Sequence, residues 1–178
     1  MPQYRAGAVK GIVMNWIVAA LASSLFASAA PALAQSRAAL TADEIEGVLG
    51  AAGFPVQMIA DAKSGDPVAY VQMENVQYWV RALDCAGAPK ACSTLVFFAN
   101  FELGRDIAGR DYEIVNRFND SQVFGRAYVI PGRKEVGVDY VVELDGGVSM
   151  ENVSRNIARW ADVIAAFIAH FSEGQRTS

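Results

Sequence analysis

"VNRFNDSQVFGRAYVIPG", Val115 to Gly132, gathers two arginines, two asparagines, three aromatic residues and an Asn-Asp pair into a short span. Its hydrophobic period changes midway. Upstream, "GRDIAGRDYEIVNRFND" puts Tyr112, Val115 and Phe118 on one stripe, with Asp106 and Asp111 as candidate N-caps, which predicts a helix. Downstream, "QVFGRAYVI" predicts a strand stopped by Pro131-Gly132. Asn119 suits the left-handed conformation that ends a helix. Phe124, Arg126 and Tyr128 would then share one strand face, where Arg126 would pair with a carboxylate or a helix C-terminal carbonyl. The dense stretch is a helix-to-strand joint, and it divides the chain into a strand-rich part before it and a strand-helix part after it.

Before the joint, "TADEIEGVLGAAGF" carries Thr41 and Glu44 at capping-box spacing, followed by apolar Ile45, Val48 and Leu49. "PVQMIAD", "VAYVQM", "VQYWVRAL" and "TLVFFANFEL" read as strands, the second and third joined by a two-residue turn at Glu74-Asn75. "TLVFFANFEL" is apolar on both faces over most of its length, as a covered central strand should be. After the joint, "EVGVDYVVEL" alternates, with Val136, Val138, Tyr140, Val142 and Leu144 inward and Glu135, Asp139 and Glu143 outward. Asp145-Gly146-Gly147 turns the chain, and Ser149 caps a last helix with Val153, Ile157, Trp160, Ile164, Phe167, Ile168 and Phe171 on its apolar stripe, ending near Gly174. Strands and helices do not alternate as βαβ units. The expected fold is α+β, a twisted antiparallel sheet of five to six strands with helices packed on it, in the order α-β-β-β(-β)-α-β-β-α.

The N-terminal segment has Arg5 and Lys10, an apolar run from Ile12 to about Ala30, then Ala32-Leu33-Ala34. That is the layout of a secretory signal peptide cut between Ala34 and Gln35, and an uncleaved anchor is the alternative. Cleavage would leave one domain over residues 35–178, periplasmic or secreted. The leader holds two basic and no acidic residues, so the remainder carries −6 against −4 for the whole chain. An acidic domain without a basic stripe excludes nucleic acid as an expected partner. Contact with a membrane is expected only through an uncleaved leader.

Cys85 and Cys92 are the two cysteines. In an oxidising compartment an even count favours a disulfide, and the Gly87- and Pro89-bearing spacer would close a hairpin between them. A closed loop of about eight residues would contribute roughly 2 kcal/mol. Zinc would require more ligands than one histidine and two cysteines offer.

Candidate chemistry is sparse. His170 is the sole histidine, and it is expected on the exposed side of the last helix, with no neighbour in sequence to orient it as a catalytic base. Glu102, Asp106, Asp139, Glu143 and Asp145 fall at element ends and on an exposed strand face, the usual places for solvated acids. No catalytic, cofactor or metal residue is therefore assigned. The aromatic residues along the strands must divide between two sheet faces. A face not covered by helices would leave Trp79, Arg81 and Phe97, with Arg126 at the joint, as candidate residues for binding a protein or peptide or for forming a homodimer.

Asn116-Arg117-Phe118-Asn119, Phe124-Gly125-Arg126-Ala127-Tyr128 and Gly146-Gly147-Val148-Ser149-x-Glu151-Asn152 together resemble the YbjN domain family, described as bacterial sensory transduction regulators. The resemblance covers about Leu40 to Phe171. It implies a fold similar to type III secretion chaperones, which are small, acidic, often dimeric, and bind unfolded segments of other proteins. It carries no catalytic residues. The leader and the paired cysteines depart from cytoplasmic members. The expected function is an exported, non-enzymatic module that binds a protein or peptide; the alternatives are a small-ligand sensor and a hydrolase.

Overall fold

The structure is a computed structural model and describes residues 36–176. The expected leader and the Ala34–Gln35 cleavage site lie outside the described residues. Thr41 opens the first helix, α1 (Ala42–Gly50), through the expected capping box: Glu44 N–H donates to the Thr41 hydroxyl, and Thr41 N–H donates to the Glu44 carboxylate. Two short strands, β1 (Ser36–Arg37) and β2 (Leu40–Thr41), precede it. Four strands follow: β3 (Val56–Ala60), β4 (Pro67–Met73), β5 (Val76–Ala86) and β6 (Ala91–Glu102). Then come α2 (Gly109–Ser121), β7 (Arg126–Ile130), β8 (Glu135–Glu143), β9 (Val148–Ser149) and α3 (Met150–Arg176).

Six strands form one antiparallel sheet in the order β3-β4-β5-β6-β8-β7, and β2 pairs with the start of β6 where β8 has ended. The short β1 pairs with β9. The element order and the antiparallel α+β class match the sequence expectation, with all four strands present before α2. Sharp turns explain the meander. Met73 faces Val76 across Glu74-Asn75, where Glu74 takes φ +49°. Cys85 faces Cys92 in the register and is disulfide-bonded to it, closing the β5–β6 hairpin.

The core lies between one face of the sheet and the helices. Tyr78, Val80, Leu95, Phe97, Val136 and Val138 face it from the strands, while Ile45, Leu49, Ile114, Phe118, Trp160, Ile164 and Phe167 come from the helices. α3 supplies most of its apolar stripe: Val153, Ile157, Trp160, Val163, Ile164, Phe167 and Phe171 are buried. Each such side chain contributes roughly 1.5–3 kcal/mol relative to exposure. Trp160 sits at the centre, with ring centroids 5.8 Å from Tyr78 and 5.9 Å from Phe97. Trp160→Ala is the single change that would open the largest hole in this packing. Burial pushes the Tyr78 phenol up to about 12.

Packing corrects several local expectations. Tyr112 is half exposed, and Ile114 takes the core position beside Val115 and Phe118. Asp111 is not the N-cap of α2: it stands one turn inside and accepts from Ala108 N–H at 2.8 Å. Asn119 does not end the helix by a left-handed turn. It remains helical, its side-chain amide donating to Ala127 C=O (3.1 Å) and accepting from Ala127 N–H (2.7 Å). Gly174 lies inside α3, where an added Cβ would come within 2.7 Å of Ile114. His170 is half buried, with Nε2 3.1 Å from the Ile114 carbonyl oxygen and its ring edge-on to Phe118.

Candidate functional site

The second face of the sheet carries no helix among the described residues. Side chains alternate along each strand, so the register decides what that face presents. One row crosses all six strands: Gln57, Tyr70, Trp79, Phe98, Asp139 and Arg126, each opposite the next. The adjacent row is Ile59, Val68, Arg81, Val96 and Val141.

The aromatic centre of the first row is continuous. Tyr70 and Trp79 have ring centroids 5.8 Å apart, and Trp79 stacks on Phe98 at 5.7 Å with the planes 18° apart. All three rings are half buried. Arg81 is exposed, with its guanidinium carbon 5.5 Å from the Phe98 centroid, a cation–π contact. Exposed Ile59 and Val141 border the patch, at 47% and 51%. A hollow of about 380 Å³ indents it between Ile59, Trp79, Arg81, Phe98, Asn100 and Arg133.

The end of the patch nearest the joint is polar and rigid. Arg126 makes a two-point ion pair with Asp139, and Asp139 is only 8% exposed. This is the carboxylate partner expected across the strand face. Tyr128 crosses over Gly137 and donates to Asn100 Oδ1 at 2.6 Å. Gly137 is required there: a Cβ would stand 2.5 Å from the Tyr128 ring. Burial, aided by Asp139, pushes the Tyr128 phenol up to about 12.

The expected site residues therefore separate. Trp79 and Arg81 lie on the uncovered face as proposed. Phe97 does not: it is fully buried among the helices, opposite Val80, and Phe98 takes the place beside Trp79. Phe124 also leaves its expected neighbours. Gly125, at φ +80°, breaks the alternation, and the Phe124 ring turns toward α3 under the Arg159 guanidinium at 4.2 Å. Tyr70 and Phe98 were missed, although the cysteines could have found Phe98. If Cys85 faces Cys92, six residues back along β5 must face six residues on along β6, so Trp79 meets Phe98.

The candidate acids do not converge. Asp106 pairs with Lys134, Asp139 with Arg126, and Glu143 accepts from the Thr94 hydroxyl. Asp84 is the one other carboxylate at Thr94, at 2.9 Å, and both of these acids are exposed. Among the described residues, no group of three or more His, Cys, Asp or Glu side chains could hold a metal ion.

A helix-backed antiparallel sheet, with one partly aromatic face that no described helix covers, defines a small α+β domain. Residues 41–173 match the family model YbjN, described as "Putative bacterial sensory transduction regulator", and the chain belongs to that family. The crystal structure of Escherichia coli YbjN, described as "a putative transcription regulator", has a similar fold, with a TM-score of 0.56 at 14% identity over 75% of this chain and 92% of that one. No curated protein sequence matches significantly.

Proposed function

We propose that this chain is an exported, non-enzymatic YbjN domain that binds a protein or peptide partner on the uncovered sheet face. One observation carries the reading: the contiguous Tyr70–Trp79–Phe98 row is only partly buried, on the sheet face away from all three helices. Holding three large rings at a surface leaves apolar area in water that a partner would cover. Arg81 beside them adds a charge with directional donors, the combination enriched where proteins meet. The paired cysteines and the signal-like leader support an oxidising compartment outside the cytoplasm. Small-ligand sensing is the second reading, favoured by the hollow that Arg81, Arg133 and Asp61 line together, which offers charges of both signs to a polar ligand.

Cross-linking and mass spectrometry on the exported protein in its native cells test the main reading. Wild type should give a reproducible partner, and Trp79→Ala and Phe98→Ala should each lose it while remaining folded by circular dichroism. A partner retained by both folded variants would remove the aromatic face from the binding surface.

A further inference from the structure

The two edges of the sheet are treated differently. On β7, the outward N–H and C=O of Ala127 are both occupied by the Asn119 side chain, which stands where a neighbouring strand would. On β3, nothing comparable is present among the described residues. Strand edges left open invite another strand, and proteins usually protect them with charge, proline or a bulge. Val56-Gln57-Met58-Ile59-Ala60 has none of these and is largely exposed.

The hydrogen-bond alternation says which groups are open. Gln72 N–H donates to Pro55 C=O, and Asp61 N–H donates to Asp66 C=O, at the two ends of the β3–β4 ladder. In an antiparallel pair the bonded positions alternate, so Pro55, Gln57, Ile59 and Asp61 bond inward to β4. Val56, Met58 and Ala60 therefore turn their N–H and C=O groups away from the sheet.

We propose that β3 pairs antiparallel with β3 of a second copy of this chain, about a two-fold axis at Met58. This register sets Met58 against Met58 of the second copy and Val56 against Ala60, so every outward backbone group of one strand meets its complement on the other. A second copy fits better than an unrelated strand for two reasons. The segment holds no charge to select or repel another sequence, and the pairing is complete about its own centre. On the uncovered face, Ile59 would lie against Gln57 of the second copy, covering part of a side chain that is 47% exposed in one copy. The two aromatic patches would then share one continuous sheet. This dimer goes beyond the partner-binding reading, and neither requires the other.

Sedimentation equilibrium of the purified protein from roughly 1 to 500 µM tests it, a range that brackets a small interface. Wild type should dimerise. Gln57→Lys with Ile59→Lys sets lysines opposite each other twice across the axis and should give a monomer at all these concentrations. Its melting should match that of the wild-type monomer, because both side chains are exposed in one copy. Gln57→Glu with Ile59→Lys sets unlike charges opposite each other and should restore the dimer. A wild type that is monomeric throughout, or a dimer indifferent to the double lysine, overturns the proposal. Trp79→Ala should leave the dimer intact even where it abolishes partner binding, which separates failure of this inference from failure of the proposed function.

Discussion

Asp111 ties the segment that leads into α2 to the distant end of α3. Its carboxylate is fully buried, and it accepts from the two terminal guanidinium nitrogens of Arg105 (2.7 and 2.8 Å), from Ala108 N–H (2.8 Å) and from Gln175 Nε2 near the end of α3 (2.8 Å). The Arg105 bonds chiefly, with the backbone and Gln175 donors, overcome the cost of burial and hold the carboxyl at about 2, below its ordinary 3.8. An asparagine side chain resembles the neutral acid, so Asp111→Asn should cost about 2 kcal/mol at neutral pH, the free energy equivalent of that depression. Arg105, left without its anion, would add somewhat to the loss. The sign with pH is fixed. A lowered carboxylate stabilises the fold fully above about pH 4, where the unfolded acid is also ionised, and this contribution disappears as pH falls through about 2. Urea denaturation followed by tryptophan fluorescence should therefore show a gap of about 2 kcal/mol between wild type and variant at pH 7, closing between about pH 4 and 2. The other acids titrate alike in both proteins and cancel in the difference. A gap that stays constant down to pH 2, or one below about 0.5 kcal/mol at pH 7, would refute the assignment of this energy to the ionised carboxylate.

Two further perturbations address the joint. Arg126→Ala leaves the nearly buried Asp139 without its cation and should cost about 1–2 kcal/mol, lowering the melting temperature while partner binding stays near normal. Unchanged melting with lost binding would move Arg126 from structure to recognition. Gly137→Ala forces a Cβ into the Tyr128 ring and the Asn100 oxygen, at 2.5 and 2.6 Å, so the Tyr128–Asn100 bond should break at a cost of about 1–3 kcal/mol. Calorimetry would measure the loss, and the Tyr128 phenol should titrate below its present value of about 12 as water reaches it. An unaltered phenol titration would show that the ring had not moved.

Much of the fold was legible because local chemistry and long-range packing agree. Thr41 and Glu44 cap α1 from within four residues, Glu74-Asn75 interrupts two strand patterns at hairpin spacing, and the Cys85–Cys92 pairing follows from a hairpin spacer. The Arg126 ion pair was also foreseeable, since a cation on an alternating strand faces a neighbour of its own row. The candidate site was legible only in part. β6 is apolar on both faces, so its alternation separates Phe97 from Phe98 without saying which one the helices cover. Asn119 looked like a helix terminator because its use lies in a bond to a strand eight residues away. Gly174 looked like a helix end because its real constraint is the approach of Ile114 from α2.

The amino-acid sequence alone determines the order of elements, the two-faced sheet, the cysteine hairpin and the family, because caps, turns and side-chain period act over a few residues. Tertiary structure alone decides which face stays open. That choice is made when α3 lays its apolar stripe, Val153 to Phe171, against Tyr78, Phe97 and their neighbours. Once those rings are buried, the strand period turns Tyr70, Trp79 and Phe98 to the other side, where no described helix covers them.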